Sequence, residues 1–307
     1  MLQTMSTPGR DEAQIIAKVT RWVRRFRPEW AFQRVTVAGS GLEMCVLRAV
    51  TRHGDAWAIR VPWQSVSHNS NDGRVEGRDL LRKEARLTGW LWRCGFPVAR
   101  PLELILDADL ECLVTEFVAG DGTPVDAAAL GAIIHRLHAI PVTVPREVPS
   151  GIDHTLRRRL EDRMAAVARL SGAAFPMPDS LVLDHVLAPV TRQTSLLHLD
   201  LRDANILTRC GAVAALVDWS NSLIAHPALE VARLAEYGWP VEPFLAGYGS
   251  NPLQEVSEAV SLLLRLDTAV MLAVVFLEEA PDAARAQKQL DRVAELHGRL
   301  LQALTPS

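Results

Sequence analysis

The sequence predicts an α+β fold of two lobes, a small antiparallel-sheet lobe over residues 1–117 followed by a larger, mainly helical lobe over residues 118–307. Three observations carry this. Short β-branched runs concentrate before residue 118, Gly120-Asp121-Gly122 breaks the chain just after it, and amphipathic helical patterns dominate beyond that break. Runs of strands followed by runs of helices are the pattern of an α+β architecture, and 307 residues suffice for two such lobes with a sizeable core.

The elements follow in order. Ile15, Val19, Trp22, Val23 and Phe26 recur at helical spacing within residues 11–27, and Pro28 ends the pattern. Three strands are expected at 34–37, 44–50 and 57–61, separated by Gly39-Ser40-Gly41 and by His53-Gly54-Asp55. The polar stretch from Ser67 to Arg78 reads as an exposed loop, and a helix follows to Cys94. Strands at 103–106 and 112–117 complete the first lobe. In the second lobe, helices are expected at 126–139, 155–170, 178–188, 228–237, 254–278 and 283–303, with two short strand-like runs, 196–207 and 213–217, in their midst.

Composition excludes several functions. The net charge is -3, which offers no field for a polyanion, so neither nucleic acid nor an anionic membrane is an expected partner. Residues 1–117 carry 17 basic against 14 acidic side chains and residues 118–307 carry 16 against 22, that is +3 and -6. The first part suits a phosphate-rich ligand and the second a cationic or polyhydroxylated one, although such faces are also ordinary solvated surface. Cys45, Cys94, Cys112 and Cys210 are scattered, without metal-knuckle spacing, and read as reduced core residues. The polar N-terminus does not resemble a signal segment, and the apolar run from Ala269 to Leu277 falls short of the ~20 residues that span a bilayer. A cytoplasmic protein is expected. His135 and His138 lack a third metal ligand nearby and read as helix surface and core. The tryptophans read as core, with Trp219 able to border a cleft. Neither Ser150-Gly151 nor Ser220 sits in a G-x-S-x-G elbow, so a serine hydrolase has no support.

The most unusual chemistry lies in His198-Leu199-Asp200-Leu201-Arg202-Asp203-Ala204-Asn205 and in Asp218, which ends an apolar run. Individually these are ordinary turn and cap residues. Together they match what phosphoryl transfer requires. One carboxylate orients the attacking hydroxyl, while an amide oxygen and a second carboxylate hold Mg²⁺ against nucleotide phosphates. Asp200, Asn205 and Asp218 suit those roles in that order.

The segments HLDLRDANIL and LVDW resemble the H-G-D-L-H-x-x-N-I-L and I-D-W motifs of the aminoglycoside phosphotransferase and choline kinase family. NSLIAHPALEVARL is similar to the family's G-D-P-x-x-D-L-A stretch, with His226-Pro227 and Glu230 where the family usually has Asp-Pro and Asp. Ala56 to Arg60 resembles the third strand of kinase-like folds, Glu84 the helical glutamate that holds that strand's cation, Leu113 to Phe117 the hinge, and Leu130 to His138 the helix ending in Leu-His. The resemblance covers roughly residues 35–240 and implies a bilobal protein-kinase-like fold.

Three departures stand out. Arg60 occupies the place of the usual lysine; it keeps the charge with a different geometry, or else is only a solvent-facing strand residue. Leu199 replaces a glycine and narrows the backbone conformations open to the loop. Val37 to Leu42 has only part of a G-x-G-x-x-G pattern; Gly39, Ser40 and Gly41 could cover phosphates or form a plain hairpin turn.

The resemblance implies transfer of the γ-phosphate of ATP or GTP to a hydroxyl of a small molecule, most readily an antibiotic of aminoglycoside, nucleoside or peptide type. Asp200 would be the base, with His198 supporting the loop; Asn205 and Asp218 would hold Mg²⁺. Arg60, Glu84, Gly39, Ser40, Gly41, Glu116 and Val118 would serve the nucleotide. Acids at 153–184 and 230–279 are the expected sources of an acceptor site. The rival readings are a metabolic kinase for a choline-like, amino alcohol or sugar acceptor, and a non-catalytic kinase-like binding protein. A protein kinase is disfavoured by the absence of H-R-D and by Trp219 after Asp218. A monomer or a homodimer is equally compatible.

Overall fold

A computed structural model of the protein describes residues 11–141, 145, 147, 148, 152–191 and 195–305; Ser150 and Gly151 lie outside this set. The residues form two compact units, the first of 1–67, 74–119 and 215–217 and the second of 68–73, 120–214 and 218–307. The chain therefore crosses between units at residues 67–74 and 214–218 as well as after Ala119, which a single cut at 117 does not capture.

The first unit opens with helix α1 (Glu12–Phe26), whose first turn is capped by Asp11 accepting from the Gln14 amide at 3.0 Å. Strands β1 (Phe32–Ser40), β2 (Met44–Thr51) and β3 (Ala56–Pro62) follow. Next come the short pair β4 (Val66–Asn69) and β5 (Gly73–Glu76), helix α2 (Gly77–Arg93), and strands β6 (Pro101–Leu106) and β7 (Glu111–Glu116). An antiparallel five-stranded sheet runs in the order β1-β2-β3-β7-β6. Ile15, Val19 and Trp22 of α1 pack with Leu47, Ile59, Ile105 and Val114 of the sheet, while Leu81 of α2 meets Met44 and Leu113 in a separate cluster. Alternation of side chains along each strand puts these two sets on opposite faces.

The exposed loop expected over 67–78 is instead a strand pair leading directly into α2. Its polar residues are turn residues: the Asn69 side chain accepts from the amides of Asn71 (3.0 Å) and Asp72 (2.6 Å). A β-carbon on Gly77 would lie 2.7 Å from the Pro62 side chain, so glycine starts the helix there.

The second unit contains α3 (Ala127–His138), α4 (Ile152–Ser171), α5 (Ser180–Leu187), β8 (Ser195–Leu197), β9 (Ile206–Arg209), the first three residues of β10 (Ala212–Leu216) and β11 (Leu223–Ala225). Helices α6 (Pro227–Tyr237), α7 (Val241–Tyr248), α8 (Glu258–Val274) and α9 (Ala283–Leu304) complete it. β8 pairs with β11 and β9 with β10. Leu262, Leu263, Leu266, Ala269, Val270 and Ala273 of α8 lie in a core shared with Leu160 and Val167 of α4, Leu229 of α6 and Leu296 of α9.

α8 begins at Glu258, capped by Ser257, and gives way to a single π-helical turn at Val275–Glu279. Within the 22 residues Glu258–Glu279 an 18-residue window reaches a mean hydropathy of 2.1, long and apolar enough by length and composition to cross a bilayer, although its uninterrupted apolar run is short. Two thirds of that stretch (67%) is buried within the protein itself, which is the composition a core helix needs.

Besides β4 and β5, two more elements escaped the sequence reading. β11 has only three residues, and α7 contains Pro243 and Gly247, which read as breakers. Packing overrides that propensity: a β-carbon on Gly247 would collide with the Ala128 carbonyl, and one on Gly131 of α3 with the Phe244 carbonyl, so two glycines let α3 and α7 meet backbone to backbone. The cysteines divide: Cys45 and Cys112 are buried, with thiols pushed up by burial to about 11 and about 12, whereas Cys94 and Cys210 are exposed. Trp92 is likewise on the surface rather than in the core.

Candidate active site

In the second unit, β8 delivers the chain to the loop 198–202, a 3-10 turn at Asp203–Asn205 closes it, and β9 leads away. Two amides at the head of the loop, those of His198 and Leu199, donate to the Glu230 carboxylate of α6 at 2.7 and 2.8 Å. Burial pushes the Glu230 carboxyl up, but the His138 and His198 imidazoles and the His198 amide outweigh it and hold it below its ordinary value. Tyr248 of α7 in turn bonds His138 at 2.8 Å, and the His138 ring stands 3.7 Å from Glu230. The His198 ring accepts from the Asp200 amide at 3.2 Å and lies 4.4 Å, centroid to centroid, from Trp219. Both rings are fully buried, so His198 supports the loop from within and Trp219 borders no cleft.

Leu199 adopts a left-handed backbone with φ 62°, which costs an L residue about 1–2 kcal/mol. The side chain is fully buried in the core of this unit, and that burial, worth about 1.5–3 kcal/mol, offsets the strain. The departure from glycine therefore leaves the loop in a glycine-like conformation.

Asp200 is buried and its carboxylate is richly supplied. Arg202 donates to it through Nε and Nη2, both at 2.8 Å, the Asn205 amide nitrogen at 2.7 Å, and the Tyr237 hydroxyl at 3.0 Å. Asn205 also donates to the Asp200 carbonyl at 2.9 Å. Burial presses the Arg202 guanidinium down, but the Asp200 hydrogen bonds and charge, with Tyr237 and Asp218 behind them, hold it above its ordinary value. Tyr237 is pushed up to about 12, by burial first. Asp218 stands at φ 63°, with one oxygen accepting from the Ser220 hydroxyl at 2.9 Å.

Arg202 and Tyr237 were not among the candidates. The first could have been found, since it occupies the second histidine of the H-G-D-L-H pattern. The second had a weaker signal: Glu230, Arg233 and Tyr237 share one face of α6 at i, i+3 and i+7.

In the first unit, Arg60 on β3 faces Val46 and Leu113 in register. Its Nε lies 3.0 Å from a Glu84 oxygen on α2, and both side chains are buried, which removes the solvent-facing alternative. Gly39 lies within β1, opposite Val46 and beside a bulge after Val37; Ser40 pairs with Cys45, and the Gly41 amide donates to the Met44 carbonyl at 2.8 Å. The segment is a hairpin, and the Ser40 hydroxyl donates to Glu12 at 2.8 Å. Glu116 ends β7, its carboxylate 2.8 Å from Arg100. Val118 follows, half-buried.

Among the described residues no three His, Cys, Asp or Glu side chains gather into a metal-binding group. Asn205 and Asp218 are the residues that would hold Mg²⁺. Because Asn205 spends its nitrogen on Asp200, its oxygen is the atom left to ligate. An amide oxygen and one carboxylate are the hard donors with which Mg²⁺ is held when phosphates and water complete its shell.

The acids expected to line an acceptor site are largely committed. Asp184 and Glu161 pair with Arg157, Glu236 with Arg265 and Arg292, Glu230 with the loop, and Asp267 with Arg163 at 2.9 Å. Nothing is assigned to the Asp153 side chain, which lies outside the described set.

A sequence profile described as the phosphotransferase enzyme family (APH) matches residues 19–263. The chain belongs to this family. Among solved structures it resembles wild-type aminoglycoside 2'-phosphotransferase-IIIa in its GDP complex, at 18% identity, 92% of this chain, 98% of the other and a TM-score of 0.61. A choline/ethanolamine kinase family protein from Mesorhizobium loti (16%, 95% and 98%, TM-score 0.62) and a macrolide 2'-phosphotransferase type I (17%, 95% and 99%, TM-score 0.56) are similar too. At such identities these likenesses show the fold alone, the kinase-like α+β architecture. No curated protein sequence matches. Against the H-G-D-L-H-x-x-N pattern, the loop of this chain keeps His198, Asp200, Leu201 and Asn205 and alters the glycine to Leu199 and the second histidine to Arg202.

Proposed function

We propose that the protein transfers the γ-phosphoryl group of ATP or GTP to a hydroxyl of a small molecule. The observation that carries this is the fixed pair Asp200 and Asn205, joined at 2.7 Å on a loop whose head is held by Glu230. A loop so held presents a carboxylate without further reorganisation, which is where much of the benefit in phosphoryl transfer arises.

In the proposed step the acceptor oxygen forms a bond to the γ-phosphorus as the bond to the β,γ-bridging oxygen breaks, and the nucleoside diphosphate leaves. Asp200 orients the hydroxyl and takes its proton; Arg202 and Tyr237 keep the carboxylate from turning. Asn205 and Asp218 would hold Mg²⁺, which when bound neutralises charge developing on the phosphates. Arg60, oriented by Glu84, would bind nucleotide phosphate oxygens through the guanidinium edge that does not face Glu84. Val118 of the hinge would offer backbone groups to the base, beside Glu116, whose amide donates to the Arg100 carbonyl; the Gly39-Ser40-Gly41 hairpin, with its Gly41 amide on Met44 and its Ser40 hydroxyl on Glu12, would exchange those bonds to cover phosphates.

The first acceptor class is an antibiotic, the second a choline-like, amino alcohol or sugar metabolite, with a cytoplasmic setting for either. Nucleotide consumption with ATP and GTP separately, Mg²⁺ and a panel of both classes tests this, with Asp200→Asn as control. Turnover lost in the control establishes the reading. Absence of any Mg²⁺-nucleotide binding would leave a kinase-like binding protein in its place.

A further inference from the structure

Behind the catalytic loop, the second unit buries more cationic hydrogen-bond donors than it supplies with acceptors. Arg163 of α4, Arg233 of α6 and Asp267 of α8 are each 1% exposed, and Arg159 lies one turn before Arg163 on the same helix face. Arg163 is well provided: it donates to Asp267 at 2.9 Å and to the Asn71 carbonyl at 3.3 Å, with Asp72 at 3.5 Å. Its neighbours are not. Among the described residues, the Arg233 Nε and Nη1 and the Arg159 Nε are buried and have no hydrogen-bond acceptor, and the remaining Arg233 nitrogen meets the Met271 sulfur. A thioether is a weak acceptor for a guanidinium.

Charge divides the cluster. Three arginines hold the fully buried Asp267 ionised against burial, and Arg233 is itself held above its ordinary value, against burial, by Tyr237, Asp267, Asp200 and Glu230. Asp72 is 42% exposed, and burial pushes the Glu279 carboxyl up, weakening it as a counter-charge. Arg159 is depressed to about 10 by burial and by the charge of Arg163. Buried guanidinium nitrogens without acceptors are costly unless a ligand supplies one.

The position is specific. Arg233 lies one turn before Tyr237, whose hydroxyl donates to Asp200, and both Asp200 and Tyr237 act on the Arg233 charge. The cluster thus runs from the side of Asp200 to the half-exposed Arg159 and Asp72. The π-helical turn after α8 shapes that end: its Glu279 accepts from the Asn71 amide nitrogen at 2.7 Å and its Glu278 from the Ser70 amide at 3.2 Å. Such turns often mark functional sites.

We propose that Arg159 and Arg233, backed by Arg163, bind an oxyanion carried by the acceptor, a carboxylate or a phosphate close to the hydroxyl that Asp200 orients. This rests on the phosphotransferase reading and narrows it: an acidic acceptor supplies the hydrogen-bond acceptors that the Arg159 and Arg233 nitrogens lack. A carboxylate or phosphate accepts two parallel bonds from a guanidinium fork, and Arg233 has two adjacent nitrogens, Nε and Nη1, awaiting them.

The test uses the full chain and sodium sulfate as probe, with ionic strength held constant by sodium chloride, read by calorimetry and by thermal unfolding. Saturable sulfate binding is expected, with Arg159→Gln weakening it about tenfold and Asp72→Asn, which removes a competing exposed carboxylate, tightening it about two- to fivefold. Without sulfate, Arg159→Gln should leave the unfolding temperature unchanged or raise it, because the wild-type guanidinium lacks its partner. Matched hydroxy acids and their methyl esters then separate carboxylate from phosphate sources: a phosphate site binds sulfate but neither member of the pair, a carboxylate site prefers the acid.

Three outcomes overturn the proposal: no saturable sulfate binding, sulfate displaced by Mg²⁺-nucleotide, or sulfate affinity unaltered in Arg159→Gln with a lowered unfolding temperature. If Arg159→Gln fails to fold, the Asp72→Asn tightening decides alone. Nucleotide binding and turnover, measured without sulfate, fail separately if the phosphotransferase reading is at fault.

Discussion

Two polar clusters lie side by side in the second unit and are built on opposite terms. Around the catalytic loop the anionic groups have donors in plenty: Asp200 has Arg202, Asn205 and Tyr237, and Glu230 has two backbone amides and the neighbourhood of two imidazoles. In the arginine cluster the donors are left over, and the nearest acceptors are a carbonyl, one buried carboxylate and a sulfur. A satisfied network fixes geometry before any ligand arrives. One short of acceptors gains on binding what it lacks when free, so the first cluster is suited to holding a reacting group and the second to recognising one.

The comparison breaks most visibly in turnover. Asp200→Asn should lower turnover by about 10²–10⁴-fold while leaving Mg²⁺-nucleotide affinity unchanged, as rate assays beside calorimetry would show. A change below about threefold would mean the satisfied cluster is structural only.

Glu230→Ala comes next. It strands two buried backbone amides and removes a buried charge, and should cost about 3–5 kcal/mol in urea unfolding, where Arg159→Gln costs nothing. The same carboxylate gives a pH signature. Its folded value is held below that of the unfolded chain, about 4.3. Its contribution is therefore present above that pH and lost as the pH falls through the lower folded value. Glu230→Gln should flatten that part of the acid-unfolding curve.

Smaller effects separate strain from burial. Leu199→Gly relieves a left-handed residue but empties a fully buried site, and a net loss of about 1–3 kcal/mol is expected from the two opposed magnitudes. Cys210→Gly relieves the same kind of backbone, φ 52°, at an exposed turn with nothing to empty, and should gain up to about 1 kcal/mol in the same measurement. If both variants lose stability equally, burial is not what sustains Leu199.

The sequence disclosed the parts of the site whose logic is local. Asp200 and Asn205 sit on one short loop, and their spacing survives in any alignment of chemistry to chain. Glu84 was legible as the partner of Arg60 through the resemblance alone. Arg202 was visible only as a departure from a motif. The arginine cluster was not legible, because Arg163 and Asp267 are 104 residues apart and nothing in either helix announces the other. The fold divides similarly. Strands with strong alternation and helices with apolar stripes were readable, whereas α7 was hidden by Pro243 and Gly247, and the ribbon of β4 and β5 by the polar residues of its own turn. In both cases the deciding contact is made by a distant segment, as Gly247 makes with Ala128 and Asn71 with Glu279.

The close meeting of α3 and α7 has a bearing on how this protein could change. Gly131 and Gly247 let the two backbones touch, and the same two helices carry His138 and Tyr248, through which α7 reaches the neighbourhood of Glu230 and so the head of the catalytic loop. A methyl group at either glycine would push apart helices that touch no reacting atom, yet the displacement would travel through three side chains to the loop. Libraries meant to broaden the acceptor range should hold both positions constant. Variants there would be expected to mask otherwise useful substitutions elsewhere, a source of epistasis located well away from the chemistry being selected.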